Sequence, residues 1–203
     1  MMCLAQNLLP HQIHKAVINM QEIKISQKCI AAVRTNDDFL TSLASDAGII
    51  FDLSPDIFSL SKKVKACHES NKKLFIHLDL ATGIGKDKSG ILFAKKAGVD
   101  GIISTRVSII KLARELRLFT VQRFFIVDSQ SLETTIESVK SSKPDMIEIM
   151  PGVVPKVVRR IKSEIAIPVI AGGIIETESE VESMLVSGAS AVSTGCKKLW
   201  NMK

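Results

Sequence analysis

The sequence predicts an α/β protein folded as a (β/α)8 TIM barrel, a single domain over residues 1–203, and three observations carry that expectation. Eight short β-rich runs alternate with amphipathic helical stretches, the order that builds a parallel sheet. Polar residues recur at alternating positions in those runs (His77 and Asp79, Gln122 and Asp128, Glu148), whereas an open parallel sheet tends to uniform apolar strands. No glycine-rich turn follows the first run, as a dinucleotide-binding open sheet would require. The chain is near the short end for a barrel.

The elements read in order as follows. "MMCLAQNLLPHQIHKAVINMQ" has no basic n-region or cleavage site and reads as an extra N-terminal helix at about 8–22, broken at Pro10. The strands are "CIAAVRT" (29–35), "AGIIFDL" (47–53), "KLFIHLDL" (73–80), "GIISTR" (101–106), "TVQRFFIVD" (120–128), "DMIEIM" (145–150), "PVIAGG" (168–173) and "SAVSTG" (190–195). Between them, "PDIFSLSKKVKACHES", "VSIIKLARELRL", "SLETTIESVKSS" and "VPKVVRRIKSEI" carry apolar residues at three-and-four spacing. Ser54–Pro55 and Ser129 have the chemistry of helix starts, and Gly98 and Gly188 that of helix ends.

An apolar fraction of 46% and a charged fraction of 24% are those of a soluble globular domain, and no apolar run approaches the ~18 residues of a membrane span. The net charge of +6 favours anionic partners, phosphorylated metabolites or nucleic acid. With no Tyr and one Trp, a base-stacking platform of the RRM kind is disfavoured. Cys3, Cys29, Cys67 and Cys196 are scattered, without CxxC spacing, and suit reduced thiols. His11 and His14 lack a third ligand nearby, so the sequence predicts no metal site. There is no HExxH motif, no GxSxG elbow and no strand-end Lys for a Schiff base, so no catalytic residue is assigned.

The working site of such a barrel lies at the C-terminal ends of its strands, where the loops after strands seven and eight often hold a phosphate. Gly172 and Gly173, and then Ser193, Thr194 and Gly195, end those strands in small side chains or none, which lets an anion approach two backbones at once. Asp79 at a strand end can accept from ligand hydroxyls, or else pair with a neighbouring Arg. Glu148, set between Ile147 and Ile149, needs either a partner such as Arg106 or Arg123, or a polyol. Arg106 can hold an anion. Which face of strand five points inward is not settled by its pattern. Lys86 and Lys88 stand in a glycine-rich loop, and the segment Ala81–Ser89 is a candidate moving part.

"HLDL", "DGIISTR", "QRFFIVDS", "KPDMIEIMPGVVPK", "IPVIAGGII" and "GASAVSTGCKKLW", in that order, make the chain resemble the glycerol uptake operon antiterminators of bacteria from about Cys29 to Trp200. That resemblance implies a cytoplasmic regulator that senses glycerol 3-phosphate, needs no cofactor and acts on the leader mRNA of glycerol-utilisation genes. It implies phosphate contacts from Gly172, Gly173, Ser193 and Thr194, and polyol contacts from Asp79, Glu148 and Gln122. The family pattern often has Lys where this chain has Arg106, and another small polar residue after its Ser–Thr. The RNA surface expected from the residues is the basic face of the sixth helix, Lys156, Arg159 and Arg160, and next the fourth helix with Lys111 and Arg114. The runner-up is a phosphate-binding barrel enzyme (isomerase, lyase or phosphodiester hydrolase) using Asp79 and Glu148 as acid and base; a scaffold with a vestigial site is a third reading. Homo-oligomerisation stays open.

Overall fold

A computed structural model describes residues 27–202; the expected helix at 8–22, with His11 and His14, and Cys3 lie outside the described residues. Eight parallel strands close into a barrel in sequence order: β1 (Cys29–Val33), β2 (Ile49–Asp52), β3 (Lys73–His77), β4 (Gly101–Ser104), β5 (Phe119–Phe125), β6 (Met146–Met150), β7 (Val169–Gly172) and β8 (Ala191–Thr194). Closure comes from β1 pairing with both β2 and β8, with Ile30 opposite Ser193. The helices are α1 (Asn36–Leu43), α2 (Leu60–Glu69), α3 (Lys88–Ala97), α4 (Val107–Glu115), α5 (Ser129–Ser142), α6 (Pro155–Glu164) and α7 (Glu178–Val186). The turn after β8 is a 3-10 helix, Lys197–Asn201, whose buried Trp200 donates its indole N–H to the Thr194 carbonyl at 2.8 Å.

All eight expected strands form, each shorter than its apolar run at one end or both. Capping residues set the turns onto helices: Thr35, Asp128 and Thr177 each accept from the third residue of the following helix and receive a bond in return. The second helix starts later than its sequence suggests. Asp56 accepts from the backbone of Phe58 and Ser59 and pairs with Thr82, so the helix starts at Leu60 and not beside Ser54–Pro55. Gly98 ends α3 with φ 90°, and Gly188 follows α7 with φ 103°, the left-handed conformation a side chain would strain.

Alternation sorts the strand residues onto two faces. Outward side chains such as Ala31, Ile50, Ile76, Ile102, Ile147 and Val192 pack under the helices. Inward ones fill the lower lumen, where Phe51, Phe75 and Phe119 stack with ring centroids 5.6 Å apart in sequence. Gly101 makes room for this stack, since a Cβ there would collide with the Phe75 ring. Large apolar groups thus close the bottom of the lumen and leave its polar residues at the top.

Candidate functional site

Four inward side chains form the upper lumen: His77, Arg123, Glu148 and Ser193, each at most 4% exposed. Arg123 Nε donates to Glu148 Oε2 at 2.6 Å, and the Ser193 hydroxyl donates to Glu148 Oε1. A buried carboxylate needs this much compensation. Arg123 Nη2 is left buried without a hydrogen-bond partner, as is His77 Nδ1, which stands 4.0 Å from Asp79, too far for a bond.

Above this layer lies a cavity of about 460 Å³, a size that suits a small metabolite. Arg123, Glu148 and Ser193 line its floor; Gly173, Ile174, Gly195, Arg34 and Lys198 line its walls. Arg34 follows β1, and Lys198 follows β8, so barrel closure brings these two cations to one side. Ile174 has φ 61°, a conformation a β-branched residue rarely adopts, and is 72% exposed, so no packing of its side chain explains the strain.

The glycines have different reasons. A Cβ on Gly172 would sit 2.6 Å from both Glu148 Oε1 and Ser193 Oγ, so this residue is small to let the Glu148–Ser193 bond pass. Gly173 has φ 79° and turns the chain. At Gly195 the nearest atom to an added Cβ is the Ala32 carbonyl at 3.7 Å, so its missing side chain enlarges the cavity.

Burial pushes the His77 imidazole from its ordinary 6.5 down to about 4, and the Arg123 charge adds to this; the ring is neutral at pH 7. Between pH 6.5 and about 4 the unfolded chain binds the proton and the folded one does not. Stability from this group is therefore complete above pH 6.5 and lost as pH falls through that window. We expect a loss of about 2 kcal/mol between about pH 7 and about pH 5 from this group. Urea unfolding at both pH values should show a slope that His77→Gln flattens; an unaltered slope would assign the effect to other groups.

A model of the glycerol-3-phosphate responsive antiterminators matches residues 29–200. The chain belongs to the glycerol-3-phosphate responsive antiterminator family. It is 34% identical to the glycerol uptake operon antiterminator regulatory protein of Listeria monocytogenes str. 4b F2365, whose crystal structure superposes with a TM-score of 0.83 over 88% of this chain and 97% of that one. A glycerol uptake operon antiterminator-related protein of Thermotoga maritima MSB8 is 35% identical, with a TM-score of 0.78 over 87% of this chain and 99% of that one. The uncharacterized protein YgcP of Escherichia coli (strain K12) is 37% identical over 174 residues, 85% of this chain and 91% of YgcP.

Not every residue that the family resemblance singled out reaches the cavity. Gly173, Ser193, Thr194, Gly195 and Glu148 line it; Gly172, Asp79, Arg106 and Gln122 do not. Asp79 lies past the end of β3 in the turn Leu78–Leu80, where it accepts from the Ser104 hydroxyl and from the Thr105 N–H and hydroxyl, stitching two loops together. Arg106 is past β4 at the start of α4, 57% exposed and 3.7 Å from Asp79. Gln122 points outward: its amide donates to Ser138 and its carbonyl accepts from Ser142, both on α5. Of the polar residues that suggested closure, His77 and Glu148 do point inward, while Asp79 and Asp128 lie beyond their strands. Thr194 also points outward and donates to the Ile175 carbonyl at 2.7 Å, while Ser193 is committed to Glu148. The segment Ala81–Ser89 carries the Lys86 bond to the Ala81 carbonyl, the Asp56–Thr82 pairing and the Asp87 cap of α3.

Arg34 and Lys198 were missed, while of the two arginines named as possible partners of Glu148 it is Arg123 that pairs with it. Arg34 stands in the loop beyond β1 and Lys198 in the 3-10 helix beyond β8, and only the β8–β1 pairing makes them neighbours. Among the described residues, no group of three His, Cys, Asp or Glu side chains is placed to hold a metal, and no helix is long and apolar enough to cross a membrane.

Proposed function

We propose that this protein is a glycerol 3-phosphate-responsive, RNA-binding antiterminator that acts in the cytoplasm on the leader transcript of glycerol-utilisation genes. The observation that carries the ligand reading is the cavity itself: Arg34 and Lys198 flank the backbone at Gly173 and Gly195, and the unpartnered Arg123 Nη2 lies on the floor below. In this reading the two flanking cations and the loop N–H groups take the phosphate. The Arg123–Glu148 floor takes the glycerol hydroxyls, because its free Nη2 donates and a carboxylate accepts.

The named relatives support the regulatory reading: the Listeria and Thermotoga proteins are, by name, a glycerol uptake operon antiterminator and a related protein. Deoxyribose phosphate aldolase of Aeropyrum pernix shares the fold at 15% identity and a TM-score of 0.67, which speaks for the barrel alone. The acid–base pair that an enzyme would need is not assembled, since Glu148 lines the cavity and Asp79 does not.

The test is a phosphorus NMR titration of glycerol 3-phosphate with the protein, followed overnight. We expect the resonance to shift or broaden and no product to appear. Arg34→Glu with Lys198→Glu should weaken binding by about 100-fold, because two charge-assisted hydrogen bonds to the phosphate disappear. A growing product signal would replace the sensor by an enzyme, and an unresponsive resonance would remove the ligand assignment.

A further inference from the structure

We propose that leader RNA docks by its phosphate backbone on a basic cleft between the C-terminal ends of α4 and α5, on the barrel face remote from the cavity mouth; this rests on the RNA-binding reading above. The cleft holds about 450 Å³ and is lined by Lys111, Arg114, Ser141, Ser142 and Lys143, with Glu115 the one carboxylate among its lining residues. Lys111 Nζ donates to the Ser141 hydroxyl at 3.1 Å, and Arg114 Nη1 reaches the Ser142 carbonyl at 3.4 Å. Arg114 Nε is buried beneath them with no partner. Lys95 extends the band sideways, since its ammonium donates to the Leu116 carbonyl at 2.6 Å, next to Arg117.

Backbone conformation marks this cluster apart from ordinary surface lysines. Arg117 and Lys143, which follow α4 and α5, have φ 57° and 51°. The corresponding positions after α3 and α7 are the glycines Gly98 and Gly188, which adopt such angles without strain. A helix dipole favours cations in the last turn, which accounts for Arg114 and Lys140. It does not account for a long cationic side chain at the left-handed position itself, where glycine is easier. Cationic side chains thus stand at the left-handed position of two neighbouring helix ends, and Lys143 lines the cleft itself.

These cations also lack carboxylate partners. Among the described residues, none of Lys111, Arg114, Arg117, Lys140 and Lys143 has a carboxylate within 4.0 Å. On α6, by contrast, Arg160 is paired with Glu133 and Glu164. The exposed aromatic side chains lie at the other end of the barrel, Phe58 in the loop after β2 and Phe125 at the C-terminal end of β5. Binding at the cleft is therefore to phosphates, strongly salt-dependent and weakly dependent on sequence.

The experiment titrates the full chain with a fluorescently labelled terminator-type RNA hairpin carrying an unpaired flank, over a range of salt concentrations. The triple variant Lys111→Glu, Arg117→Glu, Lys143→Glu should bind at least about ten-fold more weakly, and the slope of log K on log salt should shrink by about 1 for each phosphate no longer neutralised. A second variant, Arg117→Gly with Lys143→Gly, relieves the backbone and removes the charge; it should melt no lower than the unmodified protein and still bind the hairpin more weakly. Equal affinity and slope in both variants would overturn the proposal. So would a weakening confined to Lys156→Glu with Arg159→Glu, which would move the surface to α6. If the unmodified chain fails to bind the hairpin even at low salt, the RNA reading itself falls; if it binds but the cleft variants do not differ, only this surface falls.

Discussion

An Arg123→Met variant is expected to lose about 3–5 kcal/mol of unfolding free energy, more than any other single substitution in the lumen. The loss does not measure the worth of the ion pair. Removing the guanidinium leaves Glu148 at 0% exposure with only the Ser193 hydroxyl to compensate its charge, and an uncompensated buried carboxylate is costly. The double variant Arg123→Met, Glu148→Gln should therefore recover most of the loss, since a neutral amide can keep the Ser193 bond without a counter-charge. Denaturant unfolding of the four proteins in the cycle measures the coupling. If the two single losses simply add, the pair is not coupled and this account of the lumen fails. A lumen held by an ion pair that apolar residues could replace at little cost argues that the polar layer is kept for the ligand rather than for stability.

Gly152→Ala should be nearly as damaging, by about 3 kcal/mol, the upper range for overpacking. An added Cβ would lie 2.5 Å from the Gly172 nitrogen and 2.7 Å from the Ala171 carbonyl carbon. Both are backbone atoms of β7, so no side-chain rotation relieves the clash. Gly152 also donates to the Gly173 carbonyl at 3.2 Å, so any shift of its turn moves the Gly173–Ile174 wall of the cavity. Thermal melting together with the phosphorus titration should show reduced stability and weakened ligand binding in one variant. Gly195→Ala is the control: its Cβ meets nothing closer than 3.7 Å, so it should leave the melting temperature in place and reduce only the space for ligand. Equal melting of the Gly152 variant and the unmodified protein would mean the β6–α6 turn yields more easily than its surroundings indicate.

Strand five shows where reading the sequence stops. In "TVQRFF" the residues Gln122 and Arg123 are neighbours, both polar and both buried, and period-two alternation says only that they face opposite ways. The register of β5 against β6 sets Arg123 beside Glu148, and α5 offers Ser138 and Ser142 to Gln122. The sequence left Arg106 and Arg123 both open as partners of Glu148, and the serines that take Gln122 have no trace in the local pattern. Gly172 is similar: its sequence context suggested room for a phosphate, but the space it frees is used by the Glu148–Ser193 bond.

Local chemistry and periodicity encode a large part of this molecule. Eight strands alternating with helices, the inward His77 and Glu148, the glycine turns after α3 and α7 and the family were all legible in residue order and motif. Which residues meet across the closed barrel was decided by pairings between segments far apart in the chain. Those pairings set Arg34 near Lys198, turned Arg123 inward and Gln122 outward, and drew Asp79 into stitching loops instead of lining the cavity. A strand's own sequence fixes which side chains share a face, but only the register and packing of its neighbours decide which face meets the lumen.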